Sequence, residues 1–230
     1  MKRELLKTDD GSMTIHLPDI NEQYHSKHGA LQEAEHVFLK MGLLPIADKF
    51  TENPLSILEI GFGTGLNCLL TYKAAKKNSL KINYTGVEAF PVSTEEWKEM
   101  NYGKLLGTNE AEVIFEKLHT VNWEEKEFID DTFALTKQKK EFKYINDIQL
   151  FDLIYFDAFG ARVQPELWTE AIFRQMYIAL NNNGVLVTYS AKGSVRRAMQ
   201  AVGFTVERLE GPPGKREMLR ATKNLSLIHI

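Results

Sequence analysis

The segment Leu58-Glu59-Ile60-Gly61-Phe62-Gly63-Thr64-Gly65-Leu66-Asn67 sets three glycines at alternate positions, two residues after an acid. Glycine accepts the left-handed backbone of a sharp turn and puts no side chain between the main chain and a ligand. A dinucleotide fingerprint, G-x-G-x-x-G, would need glycine at the sixth position from Gly61, where Leu66 stands. A second candidate is Glu88, closing Tyr84-Thr85-Gly86-Val87 one strand further on, where a carboxylate can accept both hydroxyls of a ribose. A third is Asp157, ending the apolar run Phe151 to Phe156 and facing the cleft where a ligand's reactive group would lie. Tyr189-Ser190 lacks the G-x-S-x-G frame of a nucleophile elbow. The six histidines show no metal spacing and Cys68 is the single cysteine, so no metal is expected.

Residues of this kind need strand ends brought together, and the hydrophobic pattern supplies them. Short apolar runs at 55–60, 81–87, 151–156 and 185–190 alternate with helical stretches at 66–77, 94–100, 165–180 and 194–202. A late strand pair, 204–209 and 217–222, is joined by Gly211-Pro212-Pro213-Gly214. Such alternation predicts an α/β fold, a doubly wound and mostly parallel sheet with helices on both faces and ligands beyond the carboxyl ends of its strands. Before it, residues 8–16 read as a hairpin around Asp9-Asp10-Gly11-Ser12, and 29–41 as a helix. Pro165 reads as an N1 proline opening a helix, with Trp168 in the core. The stretch 105–148 is the least readable, and is expected to hold a helix and one irregular strand near 132–136. The predicted division is an extension (1–54), the main domain (55–223) and a tail (224–230).

The 230 residues, 43% hydrophobic and carrying a lone cysteine, describe a globular chain that needs no disulfide. No apolar run approaches the ~18 residues of a spanning helix, and the first residues lack the apolar core of a signal peptide. A cytoplasmic protein that does not engage membranes is expected. The net charge of −3 hides an asymmetry. Residues 88–131 hold 12 acids and 4 bases, while 192–223 hold 8 bases and 3 acids. The basic stretch fits either a polyanion-binding face or a solvated surface.

The glycine loop with its preceding acid resembles motif I of class I S-adenosylmethionine-dependent methyltransferases. Further segments make the resemblance specific: Tyr24-His25-Ser26-Lys27-His28-Gly29-Ala30, Glu35-His36-Val37-Phe38-Leu39, Phe156-Asp157-Ala158-Phe159, Pro165-Glu166-Leu167-Trp168 and Gly214-Lys215-Arg216-Glu217-Met218-Leu219. Taken in order from Tyr24 to Lys223, they resemble the stand-alone form of the methyltransferase module of the MnmC family. That resemblance implies S-adenosyl-L-methionine as cofactor, and methylation of the exocyclic amine of 5-aminomethyl(-2-thio)uridine at the wobble position of tRNA. It implies Glu59, Gly61, Phe62, Gly63, Thr64, Gly65, Asn67 and Glu88 as cofactor residues and Asp157 as the catalytic acid. Tyr24, His28, Phe159, Lys192, Arg196, Arg197, Lys215 and Arg216 are the expected contacts to substrate, with tRNA docking through its anticodon region. Where the family commonly has Asp-Gly-Phe-Ala-Pro, this chain reads Asp157-Ala158-Phe159-Gly160-Ala161. The family's acidic adenine contact has two candidates, Glu141 and Asp147. No second glycine fingerprint accompanies the first, so neither FAD nor oxidase activity is expected.

An alkylammonium titrates near ~10.4 and an ordinary carboxyl near ~4, so Asp157 is expected to orient the amine and stabilise charge rather than take its proton. Tyr24, His28 and Ser190 lie on segments able to assist. The alternatives are a methyltransferase of the same fold acting on a small amine or a protein, and a cofactor-binding RNA module without catalysis. An aminopropyltransferase also sets an acid against an amine, but the Phe62–Thr64 loop and the basic tail fit it poorly.

Overall fold

The computed structural model describes residues 2–224. All but the first residue of the predicted tail therefore lies outside the described residues. Strands β1 (Glu4–Lys7) and β2 (Met13–Leu17) form the expected hairpin, to which β3 (Glu22–Gln23) adds a short third strand. Asp10 closes the turn, accepting from the Ser12 backbone N–H at 3.0 Å and the Thr8 hydroxyl at 2.8 Å. A continuous helical segment follows, as α1 (Ala30–Ala34), a π-helical stretch Glu35–Leu43 and α2 (Leu44–Ala47). It outruns its predicted end at 41 and carries Pro45 in its interior, where the Met41 carbonyl that lacks the Pro45 N–H accepts from Arg220 at 3.5 Å instead.

The main domain then runs β4 (Leu55–Ile60), α3 (Leu66–Lys77), β5 (Ile82–Val87), α4 (Thr94–Lys98), α5 (Tyr102–Leu105), α6 (Asn109–Thr120), β6 (Lys126–Phe128), β7 (Phe133–Gln138), β8 (Phe151–Phe156), α7 (Glu170–Ala179), β9 (Leu180–Thr188), α8 (Gly193–Ala201), β10 (Thr205–Glu210) and β11 (Glu217–Thr222). Eight strands form one sheet in the order β10-β11-β9-β8-β4-β5-β7-β6. The five from β9 to β7 are parallel, while β11 and β6 run antiparallel to their neighbours. This is the Rossmann-like class I fold. Buried side chains such as Ile57, Tyr84 and Tyr155 pack on one face of the sheet, and Leu58, Ile154 and Leu186 join a separate cluster on the other.

Two local expectations give way. Pro165 opens only a 3₁₀ turn, Pro165–Trp168, and α7 starts afresh with the Thr169 hydroxyl accepting from the Ile172 N–H. Between 105 and 148 there are two strands, not one. Their alternation is masked because Lys137 in β7 is buried, its ammonium donating to the His119 carbonyl at 2.7 Å and lying 4.9 Å from the Trp123 ring centre.

The chain leaves β4 for β5 on one side, and β8 pairs with β4 on the other. That reversal opens a crevice at the carboxyl ends of β4 and β8. The extension is fastened near its mouth. Arg3 donates to the Phe90 carbonyl at 2.8 Å and to Glu96 at 2.7 Å, and the Asn101 side chain binds the Gly11 carbonyl and the Met13 N–H, each at 2.9 Å.

Candidate active site

A cavity of about 550 Å³ opens in this crevice, within the usual size of small-molecule sites. Its first wall is the loop between β4 and α3. Gly61, Gly63 and Gly65 have φ of 91°, 51° and 74°, the region closed to most side chains. The space is as tight as the backbone: a Cβ on Gly61 would lie 2.7 Å from the Asp157 carbonyl, and one on Gly63 would lie 3.2 Å from the Tyr24 ring. Glu88 faces the loop from the end of β5. Its two oxygens accept the Gly63 N–H at 3.0 Å and the Phe90 N–H at 2.9 Å, which leaves lone pairs on each for further donors.

Phe62 and Thr64 are buried supports of this loop. The Phe62 ring packs so closely on β5 that a Cβ on Gly86 would approach it to 2.4 Å. The Thr64 hydroxyl contacts Tyr102 at 3.1 Å and His25 at 3.5 Å. His25, bonded on its other side to Thr14 at 3.0 Å, is pushed down to about 4 by burial and is neutral. Gly65 lies off the cavity, against His119.

The other wall is built around Asp157. Asn67, in the first turn of α3, donates from one nitrogen to Asp157 and to Glu59, both at 2.9 Å. Glu59 is fully buried behind the loop, outside the cavity lining, and burial holds its carboxyl well above the usual range. The acid expected to touch cofactor thus acts through Asn67 on Asp157. Burial, with Glu33 nearby, raises Asp157 to about 7 against the opposing pulls of Asn67 and Lys215. This corrects the premise that Asp157 behaves as an ordinary carboxyl. Its gap to an alkylammonium shrinks from about six units to about three.

Tyr24 and Phe159 meet edge to face at 5.1 Å on this wall, as candidate substrate contacts should. Lys215 is there too, but not as a surface cation: it pairs with Glu33 of α1 and lies 4.0 Å from the Tyr189 ring centre. His28 is exposed outside the lining, 3.4 Å from Asp9, its ring under the Gly214 turn. Lys192, Arg197 and Arg216 are exposed and Arg196 half-buried, all outside the lining. The basic stretch is not one free face, because Arg208 and Arg220 pair with Glu217 and Glu207, and Lys223 donates to the Leu180 carbonyl. Ser190 is buried outside the lining, Glu141 is on the wall beside Lys143, and Asp147 is away from it.

Sequence reasoning passed over Glu33, His25 and Tyr189 as site residues. Glu33 looked like one more polar position on a helix, and only its partner 182 residues away gives it meaning.

Residues 113–224 match the family model described as S-adenosyl-L-methionine-dependent methyltransferase. The tRNA 5-methylaminomethyl-2-thiouridine biosynthesis bifunctional protein MnmC of Burkholderia thailandensis is 28% identical over 94% of the chain, and that of Paracidovorax citrulli 30% over 89%. The alignments take in 34% and 33% of those proteins, so the chain spans about a third of the length of these curated relatives. The crystal structure of MnmC2 from Aquifex aeolicus superposes with a TM-score of 0.80, at 23% identity, over 97% of this chain and 70% of that one. The chain is similar to the MnmC-type methyltransferases. Spermidine synthase from Thermotoga maritima shares the fold more distantly, with a TM-score of 0.55 at 16% identity.

The cavity fits S-adenosyl-L-methionine on its own evidence. Bare backbone at Gly61 and Gly63, spare acceptor capacity on Glu88 and an acid-rich wall suit a nucleoside carrying a sulfonium. Among the described residues no helix is long and apolar enough to cross a membrane.

Proposed function

We propose that this chain methylates the exocyclic amine of 5-aminomethyl(-2-thio)uridine at the tRNA wobble position, giving the methylaminomethyl form. The observation that carries the reading is the placement of Asp157. It stands on the wall of the same cavity as the glycine loop, fixed by Asn67, and Tyr24, Phe159 and Tyr189 line that cavity with it. The names of the relatives supply the substrate class.

S-adenosyl-L-methionine bound along the glycine loop and Glu88 would supply an electrophilic methyl on a sulfonium. Gly61, Gly63, Thr64, Asn67 and Glu88 are its proposed holders, with Glu59 and Phe62 fixing them from behind. The chain must then present an amine with a free lone pair. Asp157, raised to about 7, holds the ammonium by charge and then takes its proton, which frees the nitrogen lone pair to accept the methyl. The aromatic rings of Tyr24 and Phe159 restrict the amine's orientation, while the Tyr189 ring already carries the Lys215 ammonium. The target base must leave the anticodon stack to reach this depth, at about a few kcal/mol. Exposed Lys192, Arg197 and Arg216, with Arg196, are the proposed phosphate contacts, positioning tRNA without reading its sequence. The reading includes residues 1–54 and 55–223 acting as one catalytic unit in the cytoplasm, without FAD or metal.

The test is calorimetric titration with S-adenosyl-L-methionine, followed by incubation with tRNA bearing 5-aminomethyluridine and mass spectrometry of the nucleosides. A gain of one methyl on that nucleoside is expected. Cofactor binding with methylation of a small amine or protein instead would overturn the substrate, and cofactor binding with no turnover would leave a non-catalytic module.

A further inference from the structure

Both lysines on the cavity wall are already engaged. Lys143 lies 2.8 Å from Glu141, and Lys215 pairs with Glu33. The wall also carries Glu22, Glu88, Asp157 and Glu166. Such a cavity accommodates a sulfonium and an ammonium, yet has no uncommitted lysine for an anion.

Of the two pairs, Glu33–Lys215 is the one beside Asp157. Both its members act on the Asp157 carboxyl, in opposite directions. The pair is also built in. The second oxygen of Glu33 accepts the Ser26 N–H at 2.9 Å. The Lys215 ammonium lies over Tyr189, whose hydroxyl donates to the Ala158 carbonyl, next to Asp157, at 2.8 Å. Gly214 seats the turn on His28: with φ at 82°, a Cβ there would lie 2.3 Å from the imidazole. Ion pairs on a solvated surface have no such anchoring.

We propose that Glu33 is a specificity-determining residue: by holding Lys215 in an ion pair at the amine end of the cavity, it admits a primary amine and excludes an amine carrying an N-carboxymethyl group. The inference rests on the proposed function, since it concerns the substituent on that amine. An N-carboxymethyl amine brings an ammonium that Asp157 can hold and a carboxylate that must be set down nearby. With Lys215 engaged, that carboxylate faces the charges of Asp157 and Glu33 and loses its hydration without a partner. Rejection through an uncompensated charge is a common source of discrimination.

The test uses the full chain with S-adenosyl-L-homocysteine present, and two tRNAs alike except for 5-aminomethyluridine or 5-carboxymethylaminomethyluridine at the wobble position. Equilibrium binding to each is measured for wild type, Glu33→Gln, Lys215→Met and the double variant. Wild type is expected to prefer the aminomethyl tRNA. Glu33→Gln retains an acceptor for Ser26 and releases Lys215, so its affinity for the carboxymethyl tRNA should rise about 10- to 100-fold, the range of a charged hydrogen bond. The gain should vanish in Glu33→Gln/Lys215→Met and be absent in Lys215→Met. Equal wild-type binding of both tRNAs, no gain in Glu33→Gln, or a gain surviving in the double variant would each overturn the proposal. If Glu33→Gln does not fold, Glu33→Asp withdraws the carboxylate from Lys215 and is read in the same way. Wild-type turnover on the aminomethyl tRNA is scored separately. Its absence defeats the proposed function, while the binding comparison still decides whether Glu33 governs selection.

Discussion

The half of the cavity proposed for the cofactor is shaped by one β–α–β unit, from Gly61 to Glu88. The half proposed for the amine draws on Tyr24 and Glu33, the loop from Asp157 to Gln164, Tyr189 and Lys215. The first half is shaped mainly by backbone, through left-handed glycines and the carboxylate that caps Gly63. The second depends on side-chain pairs that form only when the extension, β8, β9 and the β10–β11 turn converge. A pocket for an invariant cofactor can be local. Selection of one amine among many uses a cluster of charges and rings whose separate members tune one another.

The largest expected effect probes the backbone half. Gly63→Val forces a β-branched residue into a backbone with φ of 51° and pushes its side chain toward the Tyr24 ring. Strain of ~1–3 kcal/mol in the loop, together with the lost ligand approach, should weaken S-adenosyl-L-methionine binding by at least about 100-fold by calorimetry. Unchanged affinity in a folded variant would sink the glycine-loop assignment.

The amine half should respond in turnover rather than in cofactor affinity. Asp157→Asn keeps an acceptor for Asn67 but removes the charge, so kcat should fall by about 10²- to 10³-fold, the ~3–4 kcal/mol of a preorganised group. S-adenosyl-L-methionine affinity should stay within a few-fold of wild type. If both constants collapse together, the two halves are not separable and the contrast fails.

Asp157 also makes a signed pH prediction. Its carboxyl is raised from 3.8 to about 7 by burial and Glu33, so between about pH 4 and 7 the folded chain binds more protons than the unfolded one. Stability contributed by this group is therefore greatest at the acidic end of that window and declines as pH rises through it. Turnover runs the opposite way, because the ionised form takes the proton, and kcat should climb from pH 6 to 8 with an apparent pKa near 7. Asp157→Asn should be more stable than wild type at pH 8 by about 1–2 kcal/mol, after discounting for the group's opening onto the cavity. Denaturant melts at pH 5 and 8 check it. A variant no more stable at the higher pH would mean that Asp157 titrates normally.

How far the sequence could be read follows the same division. The strands at 55–60, 82–87 and 151–156 and the helix at 66–77 were legible because each is a short, regularly patterned element bounded by glycine or a charged residue. The placement of Asp157 and Glu88 on the cavity wall was legible because strand ends in such sheets are where ligands gather. Glu59 was given the wrong neighbour: its position two residues before the loop suggested contact, but strand alternation turns it inward to Asn67. Lys215 was assigned to the surface because a lysine after Pro-Pro-Gly in a basic stretch looks solvated. Its pairing with Glu33 depends on a contact across almost the whole chain, which no local pattern encodes.

That correction yields the smallest effect, and the one that separates Lys215 from its sequence neighbour. Arg216 is exposed and lies outside the cavity lining, whereas Lys215 is spent on Glu33. If tRNA phosphates meet this turn, they meet Arg216. Arg216→Glu should weaken every tRNA alike, by several-fold at moderate salt, and reduce the slope of log affinity against log salt by about 0.7–0.9 for one lost contact. Lys215→Met should leave the slope near the wild-type value, because an ammonium already paired within the protein releases no counterion from the nucleic acid. Filter binding between 50 and 200 mM salt, on modified and unmodified tRNA, gives both slopes. A slope that falls for Lys215→Met but not for Arg216→Glu would mean that the lysine swings out to the backbone when tRNA docks. The charge map of the cavity in the complex would then differ from that of the free chain, and Glu33 would be left facing the incoming amine.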